Sequence, residues 1–246
     1  MNLIYFFVLF LLTTSSLINA WRWSRIAQRE HYIPGYVTKF YFRWVKLIPF
    51  NNFYFFLTLI FMILSLWNPY TAILVAILSL LLPRGLSFNW RTSKVDQTER
   101  IKRLNTVYFI LISLISIASV LLEYGYFLAL FANVFSFFVY DQALKLTKNF
   151  EKNQSQIFVD RAEAKLGTFS GPIVSITGSY SKTTTKNTLK QILSTTNDVF
   201  VTPESYNNRL GIAKSINENL KSNNEIAIFE MGTYGFGEIR EMCSWV

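Results

Sequence analysis

The sequence of 246 residues is 51% hydrophobic and 17% aromatic, and its formal net charge is +9. This composition excludes an ordinary soluble domain and is typical of proteins with membrane spans. A positive net charge can indicate nucleic-acid binding. Here the lysines and arginines flank apolar runs, so membrane orientation explains them and we expect no nucleic-acid partner. The single cysteine, Cys243, excludes an intrachain disulfide framework.

Apolar runs predict about five transmembrane helices within a membrane domain, residues 1–144. The runs cover 1–20, 47–67, 70–82, 104–122 and 126–140. A cleaved signal peptide is the alternative for the first run, because Ala20 could precede a cleavage site. No basic residue precedes this run and further apolar runs follow it, which favours a retained span. The third run is short for a span, so it either extends to Phe88 or is re-entrant.

The basic residues predict how these spans are oriented. Lysines and arginines concentrate in 21–46, in 84–103 and after Tyr140, whereas the turns at 68–70 and 123–125 contain none. The positive-inside rule then places both basic loops and the carboxyl-terminal part in the cytoplasm, with the amino terminus outside. We therefore expect a multi-pass protein of the cell membrane, with the lipid bilayer as one of its partners.

The rest of the chain has the pattern of an α/β domain. Residues 145–170 are predicted as a helical linker, and 171–246 alternate between short apolar strands and amphipathic helices. The predicted strands are 172–176, 198–202 and 225–232. The predicted helices cover 183–196, a segment with Ile212, Ile216 and Leu220, and a segment with Glu238, Ile239 and Met242. In the first helix Leu189, Ile192 and Leu193 are expected to share one face. This order predicts a parallel sheet with helices on both faces.

A phosphate-binding loop is predicted between the first strand and the first helix of this domain. The stretch from Ser175 to Lys186 reads SITGSYSKTTTK. Backbone N–H groups of such a loop and the following helix N-terminus attract phosphate, Lys182 would reach the terminal phosphates, and the Thr183 hydroxyl would bind Mg²⁺. The pattern is imperfect, because Ser175 and Ser181 stand where phosphate-binding loops have glycine. The alternative is a polar helix start that Ser181 only caps.

Further polar residues follow the next two strands. Asn207 and Asn208 come after the second strand, and Glu230 ends the third. Ligands of parallel sheets bind at the carboxyl ends of the strands. A carboxylate there can hold Mg²⁺ opposite the loop threonine, whereas the alternative is an ordinary acidic residue at a strand end.

Four motifs in this order resemble the central ATP-binding domain of Mur ligases. They are TGSYSKTTTK from Thr177, TPESYNN from Thr202 with Gly211, Glu230-Met231-Gly232, and Gly237-Glu238-Ile239. The branch of this family that the sequence resembles adds D-alanyl-D-alanine to the UDP-muramoyl tripeptide. The resemblance implies a C–N-bond-forming ligase of peptidoglycan precursor synthesis that uses ATP and Mg²⁺. Its partners would be a UDP-muramoyl-peptide-like substrate and an amino acid or dipeptide.

The resemblance also implies roles for individual residues. Lys182 and Glu230 would be catalytic, Thr183 and Glu230 would hold the metal, and Asn207 and Asn208 would contact substrate. The implied ATP-binding residues are Gly178, Ser179, Tyr180, Ser181, Lys182, Thr183 and Thr184. In the implied reaction a carboxylate attacks the γ-phosphate of ATP, and an amine then displaces phosphate from the acyl phosphate.

The sequence departs from the family in two ways. Ser181 replaces a glycine, and the family's later metal-binding His, modified Lys, adenine-binding residues and carboxyl-terminal domain do not follow before Val246. We therefore expect these residues to be part of a longer enzyme and inactive alone. One alternative is a ligase that makes poly-γ-glutamate, although Tyr206-Asn207-Asn208 favours the peptidoglycan branch. Another is a non-catalytic membrane scaffold with a degenerate nucleotide-binding fold.

Overall fold

A computed structural model describes residues 3–86, 97–122, 126–203, 206–233 and 235–246. Its contacts separate two compact units, Met1–Asn149 and Phe150–Val246. The predicted domain limits at 144 and 170 stay predictions. The helix of the third run ends at Leu81 and does not continue through 82–86; only residues 87 and 88 of its possible extension, and the turn at 123–125, lie outside the described residues.

The first unit is helical. Its helices are α1 (Leu3–Arg29), α2 (Tyr36–Leu47), α3 (Pro49–Leu64), α4 (Thr71–Leu81), α5 (Glu99–Leu121), α6 (Tyr126–Val134) and α7 (Ser136–Leu166), the last of which contributes residues to both units. Within the described ranges, α1 and α5 are long and apolar enough to cross a membrane, and the number of such spans rises to four if the bent pairs α2–α3 and α6–α7 each count as one. The prediction of about five spans stays a prediction.

Two helix breaks bear on the predicted apolar runs: the one at Ile48 lies where the run 47–67 begins, and the one at Phe135 divides the run 126–140. Pro49 is the first residue of α3, where its missing N–H costs nothing, and α2 meets α3 at a bend of 110°. The predicted run 126–140 is not continuous, because α6 ends at Val134 and α7 begins at Ser136 with a bend of 83°. The end of α6 is fixed by the buried Asn133, whose amide donates to the Leu12 carbonyl at 2.9 Å.

Polar side chains connect the helices inside the first unit. The buried guanidinium of Arg22 donates to the carbonyls of Leu82, at 2.6 Å, and Leu80, and so satisfies the end of α4. Asp141 accepts hydrogen bonds from the backbone N–H groups of Gly35 and Thr38, both at 2.8 Å, at the start of α2. These contacts fix helix ends that short loops alone would leave unsatisfied.

Large apolar side chains lie on the outside of this unit. Phenylalanine, isoleucine and leucine residues of α1, α3 and α5 are exposed, among them Phe6, Phe7, Phe10, Phe53, Phe56, Ile60, Leu114 and Ile117. Soluble proteins rarely expose apolar surface on this scale. A hydrocarbon environment favours this arrangement, in which polar groups lie inside the unit and apolar groups lie on its surface.

The second unit contains a three-stranded parallel sheet. Its strands are β1 (Ile173–Ile176), β2 (Val199–Val201) and β3 (Ile226–Glu230), in the order β1-β3-β2. Ile176 pairs with Glu230, and Val201 pairs with Ile228. The helices are α8 (Lys182–Leu193), α9 (Arg209–Asn219) and α10 (Glu238–Cys243). Because the strands are parallel, the segments that follow them all begin at one edge of the sheet.

Helices lie on both faces of this sheet, as predicted. Phe200, Ala227 and Phe229 pack with α9, α10 and the end of α7 through Ile212, Met242 and Val159. Successive strand residues face opposite sides, so Glu230 lies on the other face, where its carboxylate contacts α8. Lys165 of α7 donates to the carbonyls of Ile216 and Asn217 at 2.9 and 3.1 Å and so satisfies the end of α9.

The predicted apolar face of α8 needs one correction. Ile192 is 61% exposed, and the buried residue of this helix is Lys186. Leu189 and Leu193 follow Lys186 at helical spacing and are partly buried, whereas Ile192 is rotated away from that line of residues. The inward face of α8 therefore includes a charged residue that the apolar pattern did not identify.

Candidate functional site

The predicted phosphate-binding loop connects β1 to α8. Gly178 has a φ of 155° and Ser181 a φ of 60°, so both adopt backbone conformations that residues with a Cβ rarely use. The ammonium group of Lys182 donates to the Gly178 carbonyl at 2.6 Å, across the loop. The loop therefore brings the lysine amine back over its own backbone, next to the start of α8.

Ser181 occupies the N-cap position of α8 but its hydroxyl makes no capping hydrogen bond. The first N–H groups of a helix carry partial positive charge and lack partners within the helix. An anion at this end of α8 would meet these groups and the Lys182 ammonium together. This combination suits a phosphate group.

Glu230 lies at the centre of a hydrogen-bonded network at the carboxyl end of β3. Its Oε2 accepts from the Thr183 hydroxyl at 2.9 Å and lies 3.1 Å from the Lys186 ammonium. Its Oε1 accepts from the Asn207 amide at 3.1 Å. The side chains of Glu230 and Lys186 are both 2% exposed. The network joins the loop helix, the segment after β2 and the end of β3.

The surroundings of Glu230 keep its carboxyl group ionised. Burial acts to raise the pKa of Glu230, but the hydrogen bonds from its three side-chain donors and the charge of Lys186 outweigh burial and hold this pKa below its usual range. A carboxylate at neutral pH is the form that binds a hard cation.

Backbone contacts hold the network in place. The Glu230 N–H donates to the Thr202 hydroxyl at 3.1 Å, and the Gly232 N–H donates to the Asn207 carbonyl at 2.7 Å. A Cβ at Gly232 would lie 2.9 Å from the Asn207 side chain, so only glycine allows this close approach. Glycine at position 232 and asparagine at 207 are thus coupled by packing.

The remaining predicted site residues have different environments in the structure. Asn208 caps α9, because its side-chain oxygen accepts from the Gly211 N–H at 2.9 Å. Tyr180 is 90% exposed, and Ser179 and Thr184 are exposed as well. Thr183 and Asn207 each contact Glu230, whereas Lys182 and Gly178 form the adjacent loop contact.

Sequence reasoning missed Lys186 and Thr202 as members of the site. Lys186 lies one helical turn after Thr183, so the two share a face of α8. The sequence could therefore have revealed Lys186, because a helix that turns Thr183 toward Glu230 turns Lys186 in the same direction. Thr202 carries no comparable signal, because its role depends on the register of β2 against β3.

The donor set fits Mg²⁺. Thr183 and Glu230 present oxygen atoms 2.9 Å apart beside the loop, and oxygen ligands suit this ion. Across the described ranges, no group of three or more His, Cys, Asp or Glu residues could hold a metal ion by itself. A magnesium ion here would take one or two protein oxygens and complete its coordination with phosphate and water.

The Lys186–Glu230 pair generates a first prediction. We expect Lys186→Met to destabilise β3 locally by about 3 kcal/mol, because it leaves a buried carboxylate without its counter-charge. The double variant Lys186→Met/Glu230→Gln should recover a large part of this loss. Hydrogen–deuterium exchange of peptides covering β3 measures both effects. Lys190→Met, at an exposed lysine of the same helix, is the control, and equal exchange for the two lysine variants would contradict the prediction.

The backbone of Ser181 generates a second prediction. Because a serine in the left-handed region is strained, Ser181→Gly should stabilise the start of α8 by about 0.5–1 kcal/mol. Slower amide exchange over residues 177–185 is the expected result. Ser179→Gly, at an exposed loop position outside the left-handed region, should instead loosen the loop. Faster exchange in both variants would show that Ser181 is not strained.

Comparisons with known proteins agree with the motifs. Residues 176–246 match the sequence model of the family described as Mur ligase middle domain. Three similar proteins are each named UDP-N-acetylmuramoyl-tripeptide--D-alanyl-D-alanine ligase. The one from Synechocystis sp. (strain PCC 6803) is 41% identical over 71 residues, 29% of this chain and 15% of that protein. The one from Rickettsia prowazekii is 32% identical over 102 residues, 42% of this chain and 21% of that protein.

The third, from Bacillus subtilis, is 36% identical over 78 residues, 32% of this chain and 17% of that protein. The chain thus spans between 15% and 21% of the length of these relatives. No solved structure matches the chain. The predicted resemblance to Mur ligases is confirmed over residues 176–246, the segment that matches the Mur ligase middle domain.

Proposed function

We propose that the protein is an ATP-dependent amide-bond ligase of peptidoglycan precursor synthesis, anchored in the cell membrane with its ligase domain in the cytoplasm. The contact of 2.9 Å between the Thr183 hydroxyl and the Glu230 carboxylate, next to the loop of Lys182, carries the catalytic part of this proposal. It brings the two expected metal ligands together beside the expected phosphate site. The match to Mur ligase middle domains over the same residues supports it.

The proposed reaction has two steps. A carboxylate oxygen of the acceptor peptide attacks the γ-phosphorus of ATP, the bond to the β–γ bridging oxygen breaks, and ADP leaves. The amine then attacks the acyl phosphate carbon, the amide bond forms, and inorganic phosphate leaves with the bonding electrons while the amine loses a proton. The first step brings two anions together, so its transition state requires positive charge.

Residues of this chain would supply the positive charge and hold the charged groups in position. Lys182 would leave the Gly178 carbonyl and bind the terminal phosphates, and the start of α8 would add its N–H groups. Bound Mg²⁺, held by Thr183 and Glu230, would supply Lewis-acid stabilisation of phosphate charge. Asn207 and Lys186 would keep Glu230 oriented. Asn208 would act through the position of α9, because its side chain caps that helix.

The names of the similar proteins indicate the substrates we propose, a UDP-N-acetylmuramoyl tripeptide and D-alanyl-D-alanine. A ligase for poly-γ-glutamate would use the same ATP chemistry on a different acceptor. A non-catalytic scaffold is favoured by one observation, the strained Ser181 where the family has glycine. Product formation separates the ligases from the scaffold.

The third prediction tests catalysis. In the natural full-length protein, Lys182→Ala should abolish ATP-dependent joining of D-alanyl-D-alanine to the UDP-muramoyl tripeptide, because the loop loses its mobile positive charge. Mass spectrometry of the product measures this yield. Lys190→Ala removes an exposed lysine of the same helix and should leave the yield unchanged. An unchanged yield for Lys182→Ala would contradict the catalytic assignment.

The membrane part of the proposal rests on the surface of the first unit. Exposed apolar side chains cover α1, α3 and α5, and two to four candidate spans occur among the described residues. Arginines cluster near the end of α1, whereas the turn around Asn68 contains no basic residue. Basic residues favour the cytoplasmic side, so the ligase domain would share a compartment with ATP.

The fourth prediction tests insertion and orientation. The protein should stay in the membrane pellet after alkaline carbonate extraction. Cys243 is the only cysteine and is exposed, so a membrane-impermeant maleimide should label it only after the cells are opened. A Cys243→Ser variant that carries Asn68→Cys should be labelled in intact cells. Release by carbonate, or labelling of Cys243 in intact cells, would contradict the proposed anchoring or orientation.

A further inference from the structure

Helix α2 has two different faces. Val37, Phe40, Tyr41 and Val45 are buried within the first unit. Lys39, Arg43 and Lys46 are exposed and recur at intervals of four and three residues, so they form one basic line along the helix. Because the apolar face is buried in the protein, the exposed basic line is the part of α2 that is suited to the phosphates of a lipid surface.

The orientation of α2 agrees with that location. The helix meets α3 at a bend of 110°, so a membrane-spanning α3 would leave α2 nearly parallel to the membrane surface. The apolar composition of α3 and the exposed Phe53 and Phe56 place α3 in the hydrocarbon region under the proposed anchoring. The exposed line of α2 would then lie at the level of the lipid phosphates.

A cavity of about 190 Å³ opens between α2 and the end of α1. Its lining consists of Glu30, Tyr36, Lys39, Phe40 and Arg43. Small-molecule sites usually measure about 300–1,000 Å³, so this cavity suits a headgroup and not a whole lipid or nucleotide. The lining contains two cations, one carboxylate and two aromatic rings, and Lys46 is not part of it.

Each part of this lining has a matching chemical group. Lys39 and Arg43 provide ammonium and guanidinium donors for a phosphate. Glu30 would repel a phosphate but attract an ammonium group. Both rings already have a protein cation over them, since the Lys39 ammonium lies 4.6 Å from the centre of the Tyr36 ring and the Arg29 guanidinium lies 5.5 Å from the centre of the Phe40 ring. A ligand with a phosphate next to an ammonium group would therefore pair its phosphate with Lys39 and Arg43 and its ammonium with Glu30.

We propose that this cavity binds the headgroup of a phospholipid that carries a primary ammonium group next to its phosphate, as in phosphatidylethanolamine. The phosphate contacts Lys39 and Arg43, and the ammonium contacts Glu30. The inference rests on the proposed membrane anchoring, which carbonate extraction tests separately. It adds a lipid preference that anchoring alone does not require.

Native mass spectrometry of the detergent-solubilised full chain tests this proposal with titrated phosphatidylethanolamine, phosphatidylglycerol and phosphatidylcholine. We expect the tightest binding for phosphatidylethanolamine. Lys39→Ala and Arg43→Ala should each weaken that binding about tenfold, as expected when one hydrogen bond between charged groups is lost. Glu30→Gln should remove the preference over phosphatidylglycerol. All three side chains are at least partly exposed, so these variants should fold.

Lys46→Ala is the matched control, because it removes one charge from the same line outside the cavity. It should leave phosphatidylethanolamine binding unchanged. Glycerophosphoethanolamine should compete with the lipid, whereas inorganic phosphate at the same concentration should not, which separates a headgroup site from a site for free phosphate. Equal losses for Lys46→Ala and Lys39→Ala, equal or tighter binding of phosphatidylglycerol by the unchanged protein, or effective competition by phosphate would each overturn the proposal.

Discussion

The candidate site depends on a buried carboxylate at the end of the central strand, because its charge must be compensated. Glu230 loses most of its contact with water, so its charge requires partners. Lys186 supplies the opposite charge, and Thr183 and Asn207 supply hydrogen bonds. These partners come from α8 and from the segment after β2. The requirement of one carboxylate thus joins the loop helix to two strand ends, which is where a phosphate and a hard cation would meet.

Much of this arrangement can be predicted from the sequence, because it depends on local patterns. Short β-branched strands that alternate with helices predict the parallel sheet, and the loop with Lys182 and Thr183 follows β1 as expected. The polarity of α8 could not be predicted in the same way, since Ile192 is exposed and Lys186 buried. Hydrophobicity alone would predict the opposite, with the isoleucine buried and the lysine exposed. The burial of this lysine is explained by Glu230, which lies on the sheet face that α8 covers, 3.1 Å from the lysine ammonium.

The helical unit shows a similar limit. Apolar runs locate most of its helices, but they miss α2, which lies mostly in the basic segment 21–46, and they do not reveal the break at Phe135. A contact distant in sequence, from Asn133 to α1, adjoins the bend between α6 and α7, whereas Pro49 marks the bend between α2 and α3. Buried polar groups that find partners between helices, and apolar groups directed outward, explain why the composition differs from that of soluble proteins. The face of α2 opposite its buried residues exposes the basic line beside the small cavity.

We propose that Thr183 and Glu230 hold a divalent cation together with a nucleotide. Electron paramagnetic resonance of Mn²⁺, titrated into the full chain with ATP and compared with Mn²⁺ and ATP alone, tests this proposal. We expect a protein-bound, ATP-dependent Mn²⁺ signal that weakens at least tenfold in Thr183→Val and in Glu230→Gln, as expected when one of a few ligands is lost. A bound signal of equal strength in all three proteins, or none in the unchanged protein, would contradict it.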